Sequence, residues 1–151
     1  RYYDEVIARV AVPNGMMLHR IENATYDLLQ HATAALVTSG TATLETALFG
    51  VPQVVCYKTP VPRLIRWAFT HILSCNYISL VNLIADKEIV AELFADRFSV
   101  EQITTELAQI LPGGAKRSEM LAGYGLVEER LGEERAAQNA ARQMIALLQR
   151  G

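Results

Sequence analysis

Ala34-Ala35-Leu36-Val37-Thr38-Ser39-Gly40-Thr41-Ala42-Thr43-Leu44-Glu45 is the stretch on which the reading of this chain turns. Ala34 to Val37 is a short apolar run and reads as a buried strand. Leu44, Ala47 and Leu48 then recur at helical spacing until Gly50-Val51-Pro52 stops them. The small hydroxylated residues therefore sit where a strand ends and a helix begins. Such a place offers main-chain N–H groups with no partner inside the helix, together with the positive end of its dipole, and both favour phosphate. Gly40 lets a ligand approach the backbone closely, and Ser39, Thr41 and Thr43 add hydroxyl donors. Glu45, one turn further in, is too negative to face phosphate but suits the two hydroxyls of a ribose. There is no Gly-Lys-Ser/Thr, so the expected nucleoside-diphosphate site is not a P-loop.

Working outward, Gln53-Val54-Val55-Cys56-Tyr57 reads as a second buried strand, with Cys56 a small core residue. Upstream, Met16 to Ile21 reads as another strand. Asn23 is placed to cap a helix from Ala24 to His31, with Leu28 and Leu29 inward. A first helix covers Arg1 to Val10, with Tyr3, Val6, Ile7 and Val10 on one face. It starts without a capping residue or an initiator methionine, the pattern expected of a piece of a longer protein. Strands and helices alternating at these spacings predict an α/β fold, a Rossmann-like parallel sheet with helices on both faces. Ligands of such sheets bind beyond the carboxyl ends of the strands, where Ser39 to Glu45 lies.

Further along, Pro62 is placed to start a helix through Leu73. Its wide apolar circumference favours packing on the sheet. The alternative is that Arg63, Arg66 and Trp67 meet lipid headgroups. Asn82, a lone amide among apolar residues, is either satisfied internally or a ligand contact. Four helices are expected after it: Glu88 to Phe94, Ser99 to Leu111 behind a Ser99-x-x-Gln102 capping box, Lys116 to Leu131, and Glu133 to Gln149. The last carries a small-residue face suited to close packing or self-association.

Composition narrows the classes of function. At 151 residues and 51% hydrophobic, the chain suits one globular domain. A net charge of −2 without a basic tract gives no field for nucleic acid. No apolar run is long enough to span a bilayer. Cys56 and Cys75 make neither a disulfide framework nor a zinc site, which suits a reducing, cytoplasmic setting. No Gly-x-Gly-x-x-Gly, no Asp-x-Asp pair and no His/Cys cluster is present, so neither a dinucleotide cofactor nor a metal is expected. His19, His31 and His71 are scattered and read as structural. No residue stands out as a general base.

Ala35-Leu36-Val37-Thr38-Ser39-Gly40-Thr41-Ala42-Thr43-Leu44-Glu45, followed by Gly50-Val51-Pro52-Gln53-Val54-Val55-Cys56-Tyr57, closely resembles the C-terminal half of the lipid-A-disaccharide synthases. Tyr77-Ile78-Ser79-Leu80-Val81-Asn82-Leu83-Ile84-Ala85 and Glu92-Leu93 resemble a second block of that family in the same order, and weaker similarity reaches the last helices. The resemblance implies a metal-independent glycosyltransferase of the GT-B arrangement, needing no cofactor. It joins UDP-2,3-diacylglucosamine to 2,3-diacylglucosamine 1-phosphate, a lipid-linked acceptor, in a β-1,6 linkage. This chain would be most of the C-terminal, UDP-holding domain with a helical C-terminal extension. The acceptor domain, the family's Gly-Ser-Arg phosphate loop and the catalytic acidic residue would lie outside it, so the chain alone would not catalyse transfer. Carried over by position, Ser39, Gly40, Thr41, Ala42 and Thr43 would cradle the diphosphate and Glu45 the ribose. Asn82 would line the cleft, and the backbone at Ile21 and Glu22, at a strand end, would hold the uracil. The resemblance also implies a cytoplasmic enzyme with peripheral contact to the inner membrane, and C-terminal exchange within a homodimer. The chain departs from the family pattern at Val81, where Pro is common, at Asp86, where Gly is common, and at Ala95, where Gln is common. Two alternatives stand beside this reading: another UDP-sugar transferase or epimerase on the same fold, and a non-catalytic interaction domain in which Ser39 to Glu45 is merely a helix cap.

Overall fold

Three short apolar strands lie side by side in a computed structural model that describes residues 2–10, 15–38, 40–58, 77–132, 141–142, 144–146 and 148–149. They are β1 (Ala35–Val37), β2 (Gln53–Tyr57) and β3 (Ala91–Phe94), all parallel, in the order β1-β2-β3. Leu36 pairs with Val54, and Val55 and Tyr57 pair with Glu92 and Phe94. Parallel neighbours require a crossover. Between β1 and β2 it is α3 (Gly40–Leu48), and α4 (Leu80–Ala85) precedes β3. A one-turn 3-10 helix at Ala95–Arg97, α5 (Val100–Ile110) and α6 (Arg117–Leu131) follow. Ahead of the sheet lie α1 (Tyr2–Ile7) and α2 (Thr25–His31). The chain divides into two units, Arg1–His31 and Ala32–Gly151.

In the second unit β2 and the middle of β3 are buried on both faces, while Leu36 of β1 is half exposed. Gln53 reaches Thr43 and Tyr124, and Glu92 reaches Ser79 and Asn82, so one face carries α3, α4 and α6. Val54, Cys56 and Leu93 alternate to the other face and are buried there, and α5 packs against β2 and β3. Each fully buried Val or Leu contributes about 1.5–3 kcal/mol, so Val54, Val55, Val81, Val90, Leu93 and Val127 anchor the unit. Arginines on α6 close the carboxyl ends of its neighbours. Arg117 donates to the carbonyls of Thr33 and of Ile110, the last residue of α5, and Arg130 donates to the carbonyl of Ile84 near the end of α4. Both are charge-assisted caps on otherwise unpaired carbonyls. Gly123 is required by packing, because a methyl there would sit 2.7 Å from Ile89 Cγ2.

Several expectations hold. Ser99 Oγ accepts from Gln102 N at 3.2 Å, so the capping box opens α5. α6 spans the expected stretch. Others do not. Glu88 to Phe94 was expected as a helix, and Ala91–Phe94 is instead the edge strand β3. The charges at 88 and 92 imitate a solvated helix face, but Glu92 is buried and four donors meet it. Met16 to Ile21 forms no strand. A strand needs a ladder partner, and the segment is held by side chains instead: Arg20 binds Asp4 at 2.7 Å, pairs with Glu22, and lies 5.8 Å over the Tyr3 ring. Arg20 also holds the Asp4 carboxyl below its ordinary pKa. In α2, Leu29 is buried but Leu28 is exposed, contrary to expectation, and Asn23 adopts φ +59 two residues before the helix. The expected helix from Pro62 to Leu73, with Arg63, Arg66 and Trp67, lies outside the described residues, as do Cys75 and much of the expected final helix.

Candidate functional site at the start of α3

β1 ends at Val37 and α3 begins at Gly40, so two residues turn the chain from strand to helix at the carboxyl edge of the sheet. Ser39 is outside the described residues. The N–H groups of the first turn, Gly40, Thr41 and Ala42, have no carbonyl to bond within α3 and carry the positive end of its dipole. Thr41 is exposed. Thr43 behaves otherwise than expected. Its side chain is fully buried, and Oγ1 donates its single proton to the Gly40 carbonyl at 2.6 Å. It fastens the turn and offers no hydroxyl donor outward. Glu45 is half-buried one turn further on.

Two residues not singled out from the sequence help to place α3. Gln53, buried at the start of β2, donates from Nε2 to the Thr43 carbonyl at 2.8 Å and to the Tyr124 hydroxyl at 3.4 Å. Tyr124 in turn donates to the Val51 carbonyl at 3.0 Å, and burial pushes its pKa up to about 12. Gln53 Oε1 is buried without a partner among the described residues. Tyr57 closes β2 at its carboxyl end, and its hydroxyl would lie 4.0 Å from a methyl on Gly40. Its position as the last residue of a strand was the available signal.

Asn82 lies on α4, fully buried. Nδ2 donates to the Val90 carbonyl at 2.9 Å and to Glu92 Oε1 at 3.0 Å, while Oδ1 accepts from Ile89 N at 2.7 Å and Val90 N at 3.0 Å. Those bonds use both donors and both lone pairs of the amide. Glu92 also accepts from Ile78 N, Ser79 N and Ser79 Oγ at 2.9, 2.8 and 2.7 Å, so one carboxylate ties β3 to the start of α4. Over this network opens a cleft of about 100 Å³ walled by Tyr77, Glu88, Phe94 and Arg97. Its charge reaches Tyr57, whose pKa is raised by burial first and by Glu92 second.

Ile21 and Glu22 belong to the first unit, where they line a groove of about 560 Å³ with Tyr3, Ile7, His19, Arg20 and Leu28. They end no strand, contrary to expectation. Among the described residues no three His, Cys, Asp or Glu gather as metal ligands, and no helix is long and apolar enough to cross a membrane.

Comparison with known proteins gives concordant matches. The family model described as lipid-A-disaccharide synthetase matches residues 2–148. A lipid-A-disaccharide synthase of Syntrophus aciditrophicus is 37% identical over 140 residues, covering 93% of this chain and 36% of the relative. Those of Myxococcus xanthus and Gloeothece citriformis are each 36% identical, covering 87% and 95% of this chain and 34% and 37% of the relatives. The chain therefore spans just over a third of the length of these curated relatives.

Proposed function

This chain belongs to the lipid-A-disaccharide synthetase family, and on that premise we propose that it is the UDP-holding part of a metal-independent glycosyltransferase. The reaction proposed is transfer of 2,3-diacylglucosamine from UDP to 2,3-diacylglucosamine 1-phosphate. The observation that carries the reading is the strand-to-helix turn at Gly40, whose outward N–H groups suit the diphosphate of the leaving group. Gly40, Thr41 and Ala42, with Ser39, take the diphosphate, Thr43 fastens the turn that presents them, and Glu45 takes the ribose hydroxyls. Asn82 acts from beneath the site, through Glu92 and the wall that α4 and β3 form.

In this reading a hydroxyl of the acceptor attacks the anomeric carbon, the bond from that carbon to the β-phosphate oxygen breaks, and configuration inverts. Negative charge growing on the departing phosphate meets donors already oriented by α3, which lowers the barrier without reorganisation. The acceptor site and the general base are assigned to the part of the family's length that this chain does not span. The lipid-linked substrates place the enzyme at the inner face of the cytoplasmic membrane, and self-association through the C-terminal helical region is included in the proposal.

Glu45→Ala in the full-length protein tests the ribose assignment. Loss of two hydrogen bonds to a charged acceptor should lower UDP affinity about 10–100-fold and lower transfer accordingly. Unchanged calorimetric affinity would remove Glu45 from the site.

A further inference from the structure

We propose that the Tyr57 hydroxyl is a further binding group of the nucleotide site, donating a hydrogen bond to a phosphate oxygen of the ligand held at the start of α3. The inference rests on the reading that this turn takes a nucleoside diphosphate. Four observations carry it. Tyr57 ends β2, the central strand, so it stands at the carboxyl edge of the sheet beside the β1-to-α3 turn. Its hydroxyl stands 4.0 Å from the place a Gly40 Cβ would occupy, and among the described residues outside α3 and its immediate neighbours it is the atom that comes within 4 Å of that place. The glycine is therefore not demanded by the packing of the described residues, and its φ is not in the left-handed region. What its bareness leaves is backbone that a ligand can approach closely, with the first N–H groups of α3 on one side and a phenol on the other.

The third observation is the hydroxyl itself, which has no hydrogen-bond partner among the described residues although the side chain is half-buried. Tyr124, fully buried, spends its proton on Val51 O, whereas the half-buried Tyr57 hydroxyl is open to solvent and so to a ligand. A phenol at a site mouth with its proton uncommitted is poised for a ligand. The fourth is its protonation. Burial, aided by the Glu92 carboxylate, raises the Tyr57 pKa, so the group stays a neutral donor across the physiological range and does not repel a phosphate.

Tyr57→Phe removes one oxygen and keeps the ring, so folding is little disturbed. In the full-length protein, calorimetric titration with UDP and with uridine separates a phosphate contact from a structural effect. The expected result is a roughly 5–15-fold loss of UDP affinity with uridine affinity unchanged. Equal affinities for UDP in wild type and variant would overturn the assignment of Tyr57 while leaving the nucleotide site standing. Parallel losses for UDP and uridine would also overturn it, by showing a change in the scaffold. Wild-type protein that binds no UDP would overturn both this inference and the reading beneath it.

Discussion

Asn82 shows what a single side chain can bind together. Its amide ties α4 to the two residues that lead into β3 and to the Glu92 carboxylate, and nothing of it reaches solvent. Asn82→Ala would take their side-chain partner from the Ile89 and Val90 N–H groups and from the Val90 carbonyl, while Glu92 Oε1 would keep Ser79 N and Oγ. At about 1–3 kcal/mol for each buried group left unsatisfied, the variant should lose at least about 3 kcal/mol of stability, measured by denaturant unfolding. A loss of UDP affinity with unchanged unfolding would instead mean that the amide serves the ligand directly. Asp86 illustrates a departure from the family pattern. It caps α4 in the left-handed region at φ +46, where glycine is unstrained, which accounts for glycine being common there. Val81 lies in the first turn of the same helix, a place where proline loses no helical hydrogen bond.

At the scale of elements, the polar joint between α3, β2 and α6 controls how α3 is seated. Gln53 and Tyr124 are buried between them and share their hydrogen bonds with the Thr43 and Val51 carbonyls. Because burial raises the Tyr124 pKa from 10 to about 12, the folded protein holds that proton more tightly than the unfolded chain does. The corresponding stabilisation is fully present below pH 10 and is lost as the pH rises toward 12. It amounts to about 2–3 kcal/mol. Unfolding free energy measured across that range should fall by this amount, and Tyr124→Phe should flatten the fall. Elements whose signal is local were legible from sequence: β1, α3 and β2 from apolar runs and a glycine-proline stop, α5 from its capping box. β3 was misread because its pattern depends on a distant fact, that Ile78, Ser79 and Asn82 supply donors to Glu92. The missing strand at Met16 to Ile21 has the same cause in reverse, since an apolar run becomes a strand only where a neighbour pairs with it. Within the site, the strand-to-helix turn was legible because helix-start signals are local. The inward turn of the Thr43 hydroxyl and the approach of Tyr57 to Gly40 were not, because both are products of packing.

For the molecule as a whole, the account makes this chain the holder of a leaving group. The sheet gives α3 a fixed seat, α6 braces the ends of α4 and α5, and the strand-to-helix turn proposed to hold phosphate lies at the carboxyl edge. The most direct test is diffraction from crystals of the full-length protein grown with saturating UDP. The account predicts diphosphate density within hydrogen-bonding distance of the main-chain N–H groups of Gly40 to Ala42, with the ribose beside Glu45. A nucleotide bound elsewhere, with the start of α3 empty, would contradict it.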